Sequence, residues 1–262
     1  MTIFKQEFKM GFLSLIIWTS IIAAMLMICI MIYPDMAKDM TDLSVMFSDM
    51  GSFSQAFGMD RINFGEFSGY FGIECGNVLG LGGAFFAALS GITALSREEK
   101  EHTAEFLLTH PVSRKRVLVE KLATVYVRIL ILNVFVSLVT AAGILLIGEK
   151  VSIRPLSLLL ISFFLMQLEI ASITFGVSAF IRNTAAGIGL SAAVLFYFLN
   201  LIANLSDDLH LLKAITPFGY TDSADIFSEG SINVSFVAVG VGLSIFALAA
   251  AFIYYPSKDI RA

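Results

Sequence analysis

Glu169 is the residue of this chain that most invites chemistry. It stands near the middle of an apolar stretch, 155–181, beside Gln167, and is the only charge in it. An ionised group at such a depth in a bilayer is costly and is normally functional or paired. Two readings stay open. Glu169 is either a carboxylate that carries a proton or ion, or a member of an interhelical hydrogen bond with Arg128 as its candidate partner. Arg128 lies nearer the end of its own apolar run; Asn133, Asn200 and Asn204 suit the hydrogen-bonding role. Other chemistry finds little support. His102, His110 and His210 do not converge in sequence, and neither H-E-x-x-H nor G-x-S-x-G occurs. Two cysteines, Cys29 and Cys75, make neither a disulfide framework nor a zinc cluster. The phosphate-cradling pattern G-x-x-x-x-G-K-[ST] is missing, and Gly148-Glu149-Lys150 is the nearest fragment. The chain is therefore expected to be non-catalytic and to bind no metal or cofactor of its own.

The elements around Glu169 follow from composition. Of 262 residues, 57% are hydrophobic and 15% charged, against about 25% charged in an ordinary soluble domain. Mean hydropathy is +0.85. These values exclude a disordered chain and an ordinary soluble enzyme. The net charge of −4 gives no footprint for nucleic acid. Uncharged runs at 10–34, 75–96, 129–148, 183–206 and 230–257, with 155–181, are each long enough to cross a bilayer, which takes about 20 residues. Backbone groups in lipid must be satisfied internally, so the runs predict helices. The first is too long for a signal-peptide core, and Ile32-Tyr33-Pro34-Asp35 offers no small-residue cleavage site. Twelve of the seventeen Lys and Arg fall on the side that holds both termini and the 97–121 connection, which predicts that side to be cytoplasmic.

Several segments outside the spans carry patterns. Phe4 and Phe8 lie one helical turn apart, as do Lys5 and Lys9. That reads as a short amphipathic helix at the inner interface or as a plain basic flank of the first span. Met36, Met40, Leu43, Phe47 and Met50 recur at helical spacing among acids, predicting an external amphipathic helix. The Phe- and Gly-rich stretch 63–72 is expected to pack against the outer helix ends. Gly72, Gly76, Gly80, Ala84 and Ala88, with Gly83, Ala87 and Gly91, form small-residue stripes. Such stripes allow close helix packing, within one subunit or across a dimer. The stretch 211–220 is too apolar for a free loop and too short to span. It predicts two short half-inserted helices turning near Pro217 and Gly219, over the outer mouth of the bundle.

The most informative segment is cytoplasmic. A charged cluster precedes a short apolar helix that Thr103 can cap, with Glu105 at its positive end and Pro111 closing it; Ser113 can cap the next helix. Phe106, Leu107 and Leu108 on so short a helix need a surface to bury them, and a groove on a partner protein is one place. The whole run, Arg97-Glu98-Glu99-Lys100-Glu101-His102-Thr103-Ala104-Glu105-Phe106-Leu107-Leu108-Thr109-His110-Pro111-Val112-Ser113-Arg114, resembles the coupling-helix region of bacterial ABC exporter permeases of the type V fold. The amphipathic N-terminus, the six-span layout and Thr216-Pro217-Phe218 extend the resemblance along most of the chain. Where family members often carry Gly before the Thr, this chain has His102.

The resemblance implies a dimer of permeases, homomeric or heteromeric, each docked on a cytoplasmic ATPase subunit that holds ATP and magnesium. Glu101, Thr103, Glu105, Phe106, Leu107, Leu108, Thr109, His110 and Pro111 would make the ATPase contact, and Thr216, Pro217 and Phe218 an outer gate. The second and fifth spans would line the path. The expected fold is all-α and integral to the bacterial plasma membrane, one transmembrane domain over 1–262. Its six transmembrane helices lie at about 12–33, 75–96, 122–147, 156–181, 185–205 and 232–255. An N-terminal interfacial helix, a cytoplasmic coupling helix and short re-entrant outer helices complete it. The expected function is the permease subunit of an ATP-driven exporter. The small size resembles permeases for amphipathic peptides, including the phenol-soluble-modulin exporters, and 24 Phe and 11 Met would suit an adaptable apolar path. Lipids and lipid-linked glycans stay open as cargo. The alternatives are an ion- or proton-coupled secondary carrier centred on Glu169 and a membrane scaffold that recruits a partner. Inverted repeats would favour the carrier, and no convincing repeat relates 1–130 to 131–262.

Overall fold

The computed structural model describes residues 2–37, 51–61, 66–100, 113–181, 186–206 and 209–258. Among them the chain is helical, without strands, and six helices are long and apolar enough to cross a membrane. The fold is thus that of an all-α integral membrane protein. Thr2–Met10 (α1) leads into Phe12–Met36 (α2). Ser52–Ala56 (α3) and a 3-10 turn, Met59–Arg61, follow at the far end. Phe67–Cys75 (α4), a π-helical segment Gly76–Leu81 and Gly82–Lys100 (α5) run on as one rod. Then come Arg114–Ile147 (α6), Ile153–Ser178 (α7) and Ala186–Ala203 (α8). Two short helices, His210–Ile215 (α9) and Ser223–Glu229 (α10), form the hairpin of 210–229. Val234–Tyr254 (α11) and the turn Tyr255–Ser257 close the described chain.

Local chemistry sets the boundaries. Ser113 Oγ accepts the Arg116 amide at 3.3 Å and starts α6, as its position before the basic run predicts. Gly148, at φ 74°, ends it in the left-handed conformation that glycine adopts without strain. Asp222 caps α10 through Ala224, and Asn233 caps α11 through Ser235 and Phe236. The second span departs from its expected start. It begins at Phe67 rather than at residue 75, because Glu74 does not end the helix. Glu74 is half-buried inside the rod and accepts the Cys29 thiol at 3.7 Å. The stretch 63–72 is therefore partly span, with Tyr33, Phe67, Tyr70 and Phe71 stacked where α2 meets α4.

α7 is the centre of the bundle and packs along both α5 and α11. Glycines make the close approach possible. A Cβ at Gly80 would stand 3.0 Å from the Phe163 ring, and one at Gly72 would stand 2.7 Å from Ser223. Gly83 lies under Gln167, and Gly91 under Thr174 and the Ala171 carbonyl. The small-residue stripes of the second span are thus used inside the subunit, against α7 and α10. α8 is the least buried of the six spans. The expected external helix around Met40, Leu43, Phe47 and Met50 lies outside the described residues.

Candidate functional site

The hairpin of 210–229 is held by charge at one end and by burial at the other. Arg61 donates to Asp225 at 2.6 Å and to Asp222 at 2.7 Å; Lys213 reaches the same two carboxylates at 3.0 and 3.3 Å. Four charges thus clasp α9, α10 and the 59–61 turn together. Burial opposes ionisation of Asp222, but the Lys213 and Arg61 charges outweigh it and hold its carboxyl below the ordinary aspartate value. Residues 216–221 between the two helices are all buried. Thr216 Oγ donates to the Phe196 carbonyl of α8 at 2.8 Å and accepts the Phe218 amide. Phe218 meets the Tyr197 ring edge-on, with centroids 5.6 Å apart. Gly219 lies against the Lys213 carbonyl, where a side chain has no room. Two short helices turning at Pro217 and Gly219 match the sequence expectation, and Thr216 and Phe218 contact α8. A cavity of about 770 Å³ opens beside the clasp, with Arg61, Glu66, Glu149, Lys150 and Phe227 among its lining.

Deeper in the bundle, Asn133 Nδ2 donates to Gln167 Oε1 at 2.7 Å and Tyr126 shares a hydrogen bond with Ser172 at 2.7 Å, both joining α6 to α7. Asn204 donates to the Ala56 carbonyl, whereas Asn200 Oδ1 is buried without a partner. The Glu169 carboxylate is 3% exposed and lies directly over Gly240 of α11. Tyr220 of the hairpin is the titratable group beside it. Arg128 is not the partner, because its guanidinium covers Gly11 and donates to the Glu7 carbonyl. Helix α1 claims that charge.

The end that bears residues 2–10 and 255–258 is fastened by cations. Lys121 is 2% exposed, and its Nζ donates to Glu7 at 2.8 Å and to the Ala94 carbonyl at 2.7 Å. Glu120 accepts the Phe4 amide at 3.0 Å, so α1 lies bound to α6, with Lys5 and Lys9 exposed and Phe4 stacked on Phe8. Arg114 donates to the carbonyls of Tyr255, Pro256 and Lys258, and Lys258 to that of Ile181. These two cations had no signal in the sequence beyond their place at helix ends. The residues expected to meet an ATPase, Glu101, Thr103, Glu105, Phe106, Leu107, Leu108, Thr109, His110 and Pro111, lie outside the described residues. They fall between the end of α5 and Ser113. Among the described residues no group of His, Cys, Asp or Glu is arranged to hold a metal ion.

The profile of a family described as "ABC-2 family transporter protein" matches residues 1–255. No curated protein and no solved structure matches the chain.

Proposed function

From the chain's membership of the ABC-2 transporter family, which a match across nearly its whole length shows, we propose that it is the permease subunit of an ATP-driven exporter of the type V kind. Two permease copies, or this chain and a second permease, form the path. A separate cytoplasmic ATPase binds ATP and magnesium and drives it. The segment 101–112 is the coupling element, with Phe106, Leu107 and Leu108 as its apolar anchors. Both termini are cytoplasmic, because that side carries the excess of Lys and Arg. The hairpin of 210–229 then faces outward and acts as the external gate.

The observation that carries this reading is the buried hairpin turn at one end of the bundle; the sequence that joins Lys100 to Ser113 at the other supplies charged and apolar residues. A permease driven by a partner needs both, since force enters at one face and the barrier opens at the opposite one. Amphipathic peptides are the proposed cargo, supported by a cavity that mixes charged groups with Phe67, Tyr33 and Phe227 beside the hairpin. Co-purification with the ATPase encoded beside this chain tests the reading. The native chain holds that ATPase and supports ATP hydrolysis, and Phe106→Asp releases it. Equal binding by the mutant would refute the coupling assignment.

A second reading has one observation in its favour, the buried Glu169 carboxylate, which no cation among the described residues pairs. A buried charge without a cation is costly, and secondary carriers use such groups to move protons or ions. It predicts gradient-driven transport by the chain alone, abolished in Glu169→Gln. ATP-dependent transport that survives this substitution excludes it.

A further inference from the structure

We propose that a small polar cavity beside the hairpin is a binding site for one alkali cation, sodium or potassium, held by side-chain amide oxygens of α8. The site does not depend on how transport is driven. The cavity has a volume of about 70 Å³ and lies where the second span, α8, α3 and the hairpin meet. Its polar lining is Asn77, Tyr197, Asn200, Asn204, Thr221 and Asp222. Asn77 is carried by the π-helical segment Gly76–Leu81, and single π turns inside α-helices recur at functional sites.

The chemistry of this lining is one-sided. The Oδ1 atoms of Asn200 and Asn204 are buried and have no hydrogen-bond partner among the described residues. The two residues stand four positions apart, so they share one face where α8 ends. Protons of the neighbouring groups are committed elsewhere. Asn204 Nδ2 donates to the Ala56 carbonyl at 3.1 Å, the Tyr197 hydroxyl to Asn77 Oδ1 at 3.3 Å, and the Thr221 hydroxyl to the Phe218 carbonyl at 2.9 Å. A hydroxyl has one proton and two lone pairs, so Tyr197 and Thr221 have only lone pairs left to offer. The last carbonyls of a helix have no partner within it, so the end of α8 adds its negative pole. Acceptors are thus in excess. A water can donate to the two amide oxygens, but its own lone pairs then face further acceptors. A cation is matched by oxygen on every side.

The ligand set also selects the ion. Divalent cations favour sites rich in carboxylates. Here the one carboxylate, Asp222, is already shared by Arg61 and Lys213, neither of which lines the cavity. The remaining ligands are neutral, and neutral carbonyl oxygens are what replaces the hydration shell of an alkali ion in selective pores. An ion held there joins α8 to the hairpin turn.

The test is thermal unfolding of the purified full chain in detergent, in the chlorides of sodium, potassium, magnesium or N-methylglucamine at equal ionic strength. Sodium or potassium raises the melting temperature saturably, by about 5 °C over N-methylglucamine, and the ion with the lower half-saturating concentration is the occupant. Asn200→Leu abolishes that rise. Asn200→Asp, which adds a charge to the ligand set, lowers the half-saturating concentration several-fold. A merely structural role for Asn200 would shift melting equally in every salt and leave the difference between salts. Asn200→Asp carries the test if Asn200→Leu fails to fold. Equal melting of the native chain in sodium, potassium and N-methylglucamine overturns the site. So does a native-sized rise in folded Asn200→Leu, an unchanged half-saturating concentration in Asn200→Asp, or a larger rise in magnesium than in either alkali ion. No ATPase takes part in the experiment, so its failure leaves the exporter reading standing.

Discussion

The two ends of this bundle are fastened by opposite chemistry. At the hairpin end, two carboxylates face two cations, and the Arg61 side chain is 40% exposed. At the other end, Arg114 and Lys258 spend their charge on backbone carbonyls, and Lys121 is all but sealed from solvent. Ion pairs open to water are weak, and salt and acid undo them. The carbonyls that Arg114 and Lys258 reach do not titrate, and the Lys121–Glu7 pair is largely shielded from water. The difference suits the proposed exporter, in which the hairpin would open in each cycle while the opposite end stays intact.

The largest effect is expected at the sealed end. Lys121→Met takes the cation from Glu7 and the donor from the Ala94 carbonyl and should cost about 3 kcal/mol, read as a fall in melting temperature in detergent. Adding Glu7→Gln should recover much of the loss. A single mutant within 1 kcal/mol of native would erase the contrast between the two ends.

Asp222→Ala comes next. It removes the cap of α10 and one of the two carboxylates that Arg61 and Lys213 share, for an expected loss of about 2 kcal/mol. The damage should be local, seen as faster hydrogen exchange across 210–229 with the exchange of α7 unchanged.

Acid separates the ends more finely. The Asp222 carboxyl is held below its ordinary 3.8 in the fold, so its contribution is complete above that value and is lost as pH falls through the lower folded value. Hairpin exchange should therefore accelerate below about pH 4. The contacts of Arg114 and Lys258 should hold through the same range. Simultaneous loosening at both ends would contradict the distinction. The smallest effect is expected for Arg61→Gln. Its own side chain is 40% exposed and Lys213 still serves both Asp222 and Asp225, so the loss should be about 0.5 kcal/mol and should shrink further in high salt.

Much of the fold was legible in the sequence because lipid imposes long uncharged runs. The hairpin could be read from 211–220 because an apolar stretch too short to span, broken by Pro217 and Gly219, has few other places to go. Ser113 was legible as a cap. The start of the second span is not legible in the sequence, because a lone charge such as Glu74 normally marks a boundary, whereas the thiol of Cys29 and half-burial accommodate it inside the helix. Arg128 was paired with Glu169 on the assumption that intramembrane charges seek each other. Instead, the residue-free face of Gly11 admits the guanidinium to α1. The clasp of Arg61 with Asp222 and Asp225 joins positions more than 160 apart, and nothing in local pattern selects those partners. Arg114 and Lys258 escaped notice because carbonyl acceptors have no residue type and leave no motif.

Protection from a thiol reagent tests most directly that force enters at one end and the barrier lies at the other. Two versions of the chain, both with Cys29→Ala and Cys75→Ala, carry Phe106→Cys or Ser228→Cys and are labelled with and without the purified ATPase. Binding of the ATPase should shield the cysteine at 106 and leave labelling at 228 unchanged in the absence of ATP. Equal labelling at 106 with and without the ATPase, or shielding at 228, would contradict it.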